Sequence, residues 1–379
     1  MSSIIFSGAT FTNDDYNSYI DIEDLAENMQ AVYAARKFRE EYTAVNFGRY
    51  TQYTTIQYPD NFGGMFIDEN NVLHINYVGD KAEFSGNRNV CDYIVFVPVQ
   101  FSYNELYRIV ELLRYVAEIY NINSFAVNEI TNRVDVSAPV ENRDSLIVFL
   151  MNNLHGFDVS AIEFTEASEF VQSNLPAGTG IYYFTTGYNA IRGNGRAGFV
   201  TAAHVVSPDE YVVFNRSIIG RASRTLWRFQ GDMDAAFVEY MPIRNNATPL
   251  TVGGFHTHGG YRSLHIAGLE TRQQITVGMQ VVSHGIRSGW RTGVVSSRSS
   301  NETMNGVNFT RQIVLTMRSA QGDSGGPVLR QWSTVVLPGM PAPAGVMGIV
   351  IGGRANAGQT LVSSAELINE RFNLTTIIR

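Results

Sequence analysis

Three short stretches of this 379-residue chain hold side chains that can together move a proton and form a covalent bond. Gly322-Asp323-Ser324-Gly325-Gly326-Pro327 sets a serine among glycines. Such a loop can turn tightly and aim backbone N–H groups at one point, the geometry that holds the oxyanion of a tetrahedral intermediate. A serine hydroxyl is a weak nucleophile until a base takes its proton, and the base needs an orienting carboxylate. His204 ends Thr201-Ala202-Ala203-His204, after the apolar pair Phe199-Val200. Asp232 and Asp234 both precede the apolar run Ala235–Val238, and either can orient a histidine. His256 and His258 have the spacing of a metal-binding pair, but adjacent Gly259-Gly260 and the lack of a nearby acid cluster make a loop the expectation. Cys91, the single cysteine, excludes a disulfide framework and a Cys₄ or Cys₂His₂ zinc site. It is expected as a buried thiol, and no metal or cofactor is expected.

The elements that must position these residues fall into two textures. Ile22, Leu25, Met29, Val32 and Phe38 recur at helical spacing and predict a helix over about 20–43. Residues 62–78 read as a hairpin turning at Glu69-Asn70-Asn71. Next come a strand at 93–99, a capping box at Ser102–Glu105 opening a helix, strands at 124–128 and 133–137, a helix over 143–154 and a strand at 159–165. The order β-α-β-β-α-β is the ferredoxin-like pattern. From Ile181 onward short β-rich runs alternate with Gly, Asn and Ser turns, which predicts an all-β barrel or sandwich. The expected division is therefore a helix-and-hairpin part over 1–90, a ferredoxin-like domain over 91–170, a linker over 171–180 and an all-β domain over 181–379.

Charge divides the chain at the same place. Residues 1–170 hold 25 acidic against 10 basic side chains, and 171–379 hold 10 against 18, balances of −15 and +8. The first partner expected for the arginine-rich half is the acidic half of the same chain, by long-range attraction. No RNP, KH or helix-turn-helix pattern accompanies the arginines, so no nucleic acid is expected. No apolar run approaches the ~20 residues of a membrane span. Met1–Phe11 is uncharged and followed by two aspartates, unlike a secretory leader.

Thr201–His204, Asp234–Val238 and Gly322–Pro327 resemble the chymotrypsin-like serine proteases. The likeness is greatest to the bacterial branch typified by α-lytic protease and the streptogrisins. Ser288–Ser297 and Gly348–Gly353 resemble that branch's segment before the last strands and its cleft-lining strand, and residues 62–165 resemble its pro-region. The resemblance implies a double β-barrel, trypsin-like protease domain at 181–379, made as a precursor whose N-terminal pro-domain assists folding and inhibits by laying its last strand or tail in the cleft. His204 would be general base then acid, Asp234 the orienting carboxylate and Ser324 the nucleophile. The N–H groups of Gly322 and Ser324 would form the oxyanion hole, and Gly352 and Gly353 would pair with a peptide or protein substrate. Arg318, six residues before Ser324, would sit at the base of the specificity pocket as a partly buried guanidinium favouring acidic side chains, or else point to solvent or plug the pocket and leave a preference for small or aliphatic ones; the acidic preference would make Glu169-Phe170 a self-cleavage point. Ile351 stands where the family has a serine touching the triad carboxylate, so slack at Asp234 is expected. A monomer is expected. The family implies an extracellular location, against which stand the absent disulfides and leader.

Overall fold

The computed structural model describes residues 22–47, 52–56, 58–80, 93–165, 185–214, 217–241, 264–332, 342–354 and 357–376. The expected linker at 171–180, Glu169-Phe170, Cys91 and the pair His256 and His258 lie outside these residues.

The N-terminal half runs α1 (Ile22–Glu40), the hairpin β1 (Thr43–Phe47) and β2 (Gln52–Ile56), β3 (Phe62–Ile67), β4 (Leu73–Tyr77), β5 (Ile94–Pro98), α2 (Tyr103–Val116), β6 (Ser124–Asn128), β7 (Arg133–Ser137), α3 (Val140–Asn153) and β8 (Ile162–Thr165). The capping box that opens α2 forms: Ser102 N–H donates to Glu105 Oε2 at 2.8 Å and Glu105 N–H to Ser102 Oγ at 3.2 Å. In the β3–β4 turn, Asp68 Oδ1 accepts from Asn70 N–H and Val72 N–H, and Asn71 takes a φ of +59°, a conformation asparagine tolerates.

The expected order of elements over 91–170 is present, but the ferredoxin-like sheet is not. In that arrangement β5 would share a sheet with β6, β7 and β8. Instead β7 and β8 pair directly and in parallel, Val134 opposite Ile162, which leaves β5 no place between them. The far edge of β6 is taken by the C-terminal half. β5 goes to the open edge of the β3–β4 hairpin, Leu73 opposite Ile94, and makes a separate three-stranded sheet.

The C-terminal half is almost wholly β. Its first sheet contains β9 (Asn189–Arg192), β10 (Ala197–Thr201), β11 (Tyr211–Phe214), β12 (Ser217–Gln230) and β13 (Met233–Tyr240). Then follow β14 (Leu264–Leu269), β15 (Gln280–Gly285), β16 (Gly289–Met304), β17 (Val307–Leu315), β18 (Pro327–Gln331), β19 (Ala342–Arg354), β20 (Gln359–Ser364), α4 (Ala365–Phe372) and β21 (Leu374–Thr376). β21 closes the edge of the first sheet beside β9. The second sheet runs β15-β18-β19-β20-β17-β16 and continues without a break into β6-β7-β8, through Asn301 opposite Phe125 and Glu302 opposite Ser124.

Packing therefore crosses the expected division at 171–180. Val32 and Phe38 of α1, Phe62 and Met65 of β3 and Leu73 of β4 lie in one core with Val281, Val295, Val328 and Met347. Burying each large side chain of this kind contributes about 1.5–3 kcal/mol, far more than screened attraction between two oppositely charged surfaces. Among the described residues, the ion pairs across the contact do not follow the net charges. Glu129 of the acidic half meets Arg298 at 2.6 Å, whereas Arg36 of the acidic half meets Glu270 of the basic half at 2.5 Å. The contact is an apolar core with local pairs.

Candidate active site

Antiparallel pairing of β10 with β13 puts Thr201 opposite Ala236. Two residues before Ala236 stands Asp234, and the chain leaving β10 turns back to it at Ala203 and His204, two and three residues beyond Thr201. The small residues Ala202 and Ala203 let the chain turn at once into a single 3₁₀ turn, Ala203–Val205. Asp234, 0% exposed, holds that turn with both oxygens. Oδ1 accepts from Ala203 N–H at 2.7 Å and His204 N–H at 3.1 Å, and Oδ2 lies 2.5 Å from His204 Nδ1. Three donors offset the cost of burying the carboxylate. They also assign the tautomer: Nδ1 carries the proton and Nε2 is the acceptor. Nε2 is buried and has no hydrogen-bond partner among the described residues.

Asp232, the other acid, faces elsewhere. Its Oδ2 accepts from Arg371 Nε at 3.1 Å and Nη2 at 2.9 Å, tying down the end of α4. Ile351 is fully buried in the apolar core and offers Asp234 no hydrogen bond. The slack expected there is taken up by the two backbone donors, and from the other side by a buried polar chain. Asp234 N–H donates to Ser363 Oγ at 3.0 Å, and Ser363 Oγ donates to Gln312 Oε1 at 2.9 Å. Gln312 Nε2 in turn donates to the carbonyl oxygens of Asp232 and Thr310. Ser363 and Gln312 carried no signal in the sequence, because polar residues in a strand show their partner only once register is known.

Ser324 sits in a loop pressed against the strand that leads into His204. Gly325 has a φ of +87°, and a Cβ there would lie 2.1 Å from Thr201 Oγ1 and 2.2 Å from the Thr185 carbonyl oxygen. Thr185 N–H donates to the Ser324 carbonyl at 3.1 Å and Thr185 Oγ1 to the Gly322 carbonyl at 2.9 Å. Gly322 has a φ of +103°. Asp323 anchors the loop from below: Oδ2 accepts from Ala320 N–H at 2.8 Å, and Oδ1 accepts from Arg287 and Ser288 N–H at 3.0 Å each. Ser324 is 2% exposed.

Gly352 and Gly353 lie on β19 beyond Ile349, where pairing with β18 ends. On that stretch β20 holds one edge, and no other strand of the described residues pairs with the opposite edge. Ser319 Oγ donates to the Gly352 carbonyl at 3.4 Å, so the segment carrying Arg318 passes beside this strand. Arg318 itself is exposed, as in the second of the two placements expected for it and not the partly buried one. No carboxylate among the described residues pairs with it. Its alkyl stem runs past Gly358, and its head remains in water.

No group of three His, Cys, Asp or Glu side chains among the described residues is placed to hold a metal. No helix among them is long and apolar enough to cross a membrane.

No protein-family model matches the sequence, and no curated protein matches it. Solved structures do. Bacterial chymotrypsin-like proteases are among its neighbours. The Nocardiopsis protease NAPase is 23% identical, with a TM-score of 0.40, over 50% of this chain and 90% of its own. Thermobifida fusca protease A is 20% identical, with a TM-score of 0.41, over 53% and 95%. Cellulomonas bogoriensis chymotrypsin is 21% identical, with a TM-score of 0.42, over 56% and 100%.

Proposed function

We propose that this protein is a serine endopeptidase in which Ser324 attacks the scissile carbonyl, His204 takes and returns the proton and Asp234 holds the imidazole. The observation that carries this is the His204 ring. One nitrogen is locked to a buried carboxylate, the other is buried without a partner among the described residues, and the strand that leads into His204 packs at Thr201 against Gly325 of the Ser324 loop. A neutral imidazole so oriented is a base ready to accept a hydroxyl proton. The tetrahedral intermediate's oxyanion would fall to the N–H groups of Gly322 and Ser324. The leaving amine would take the proton from Nε2, and water would then hydrolyse the acyl ester by the same route. Gly352 and Gly353 would pair with the substrate backbone through the unpaired edge of β19.

The N-terminal half belongs to the same proposal as folding partner and inhibitor. β8, its last described strand, pairs with β7 at the sheet edge, so inhibition would not come from that strand. Labelling by a fluorophosphonate should be slower in the uncut chain than after cleavage within 171–180.

The fluorophosphonate probe tests the main assignment. Labelling that disappears in Ser324→Ala supports the endopeptidase. A folded, cut protein that takes no label is instead a binding module on a protease fold.

A further inference from the structure

The sheet from β15 to β20 buries both of its faces. Side chains alternate along its strands. Val282, Leu329 and Ile349 enter the core shared with the first sheet, while their neighbours Val281, Val328 and Val350 enter the core shared with α1, β3, β4 and β5. One cover for this sheet is built by the C-terminal half, and the other includes the N-terminal half. We propose that residues 22–165 are a permanent component of the molecule. After any cut within 171–180 this half stays bound as a second subunit, rather than leaving as a spent pro-region.

Three further features support this. Polar groups are matched across the contact in the interior, not at its rim. The buried Asn28 side chain donates to the Gly278 carbonyl at 3.0 Å and accepts from Gln280 N–H at 3.0 Å, and Arg39 donates to Thr276 Oγ1 at 2.9 Å. Glu129, 2% exposed, accepts from Met65 N–H at 2.8 Å with one oxygen and from Arg298 Nε with the other. Backbone continuity adds to this: Ile67 N–H donates to the Val277 carbonyl at 2.9 Å, and β6 extends the sheet at β16.

Finally, the contact reaches the nucleophile loop. Val350 exchanges backbone hydrogen bonds with Gly325 and Gly326, and Val328 follows Ser324 by four residues; both pack in the shared core. Glu270, fully buried, joins Arg36 of α1 to Arg330 of β18. Losing the N-terminal half would open an apolar face directly beneath Ser324.

The test places a site-specific protease's recognition sequence within 171–180 of the full chain carrying Ser324→Ala. That background prevents self-digestion and makes the outcome independent of whether Ser324 is a nucleophile. The uncut variant is first shown to unfold at the same urea concentration as its parent. After complete cutting, the two fragments should elute together in gel filtration, both at low salt and at about 1 M salt, where the screening length is only about 3 Å. Urea should then melt both in one transition by tryptophan fluorescence and far-UV circular dichroism. Separation of the fragments in native buffer at either salt would overturn the proposal. So would two separate transitions, with the C-terminal fragment remaining folded after the N-terminal fragment has gone.

Discussion

At His204 the asymmetry between the two ring nitrogens makes a specific kinetic claim. If Nε2 is the base for Ser324, neither residue is useful without the other. Ser324→Ala and His204→Ala should each lower peptidase activity by several orders of magnitude, and the double variant should be little slower than either single one. Multiplying losses in kcat/KM would show that the two do not act as a unit. Arg318 makes a second claim at this scale. Its guanidinium is exposed beside the Ser319–Gly352 contact and free of any carboxylate among the described residues. A substrate Asp or Glu could therefore form a bidentate pair with it at little desolvation cost. A peptide library should show an acidic preference before the cut that Arg318→Ala removes, raising KM for those peptides roughly 5- to 10-fold for about 1 kcal/mol of lost ion pair. If the mutant keeps the preference, Arg318 is not the selector.

Among the elements, the Ser324 loop and β16 can each be probed by one substitution. Gly325→Ala would force a Cβ to within 2.1 Å of Thr201 Oγ1 at a φ of +87°. Overpacking and backbone strain of about 1–3 kcal/mol each would push the loop away from β10. Fluorophosphonate labelling should slow by about 100-fold, with the bulk of the fold retained by circular dichroism. On β16, burial raises the Glu302 carboxyl from 4.5 to about 7, although Arg354 beside it and the Ser300 hydroxyl pull it down. A carboxyl raised in the folded state binds its proton more tightly there than in the unfolded chain. Its stabilising contribution is complete below about pH 4.5 and is lost as pH rises through about 7. Across that window Glu302 should cost the wild type up to about 3 kcal/mol relative to its low-pH stability. Urea titrations at several pH values should show that slope, and Glu302→Gln should flatten it; an unchanged slope would mean that Glu302 ionises normally.

For the whole molecule, the two halves are joined as parts of one core, and breaking a buried pair between them should be felt globally. Glu129→Ala leaves Arg298 uncompensated and Met65 N–H without its acceptor, at a cost of about 3–5 kcal/mol. The urea midpoint should fall equally by circular dichroism and by the fluorescence of Trp227, Trp290 and Trp332, which all lie in the C-terminal half; a circular-dichroism loss that precedes an unshifted tryptophan transition would show that the halves melt separately. Much of the candidate site was legible in the sequence, because its residue types and their chain order are local facts. A serine among glycines, a histidine after a strand and an acid before one can be read without knowing the fold, as can the Ser102 capping box. What the sequence could not carry was partner choice. Residue type does not separate Asp232 from Asp234, and only the resemblance of Asp234–Val238 favoured one; the β10–β13 register turns Asp234 to His204, while Asp232 meets Arg371. The strand pattern of 94–165 was correct, yet β5 left for β4 because sheet edges compete for strands across the whole chain. The net charges suggested an electrostatic contact, whereas the contact is apolar, because a charge count is a sum and burial depends on which face of each strand is covered. The sequence by itself determined the chemical inventory and the local elements. Only the tertiary structure decided which edges paired, which carboxylate met the histidine and how deeply the halves merged, since all three depend on contacts between residues far apart in the chain.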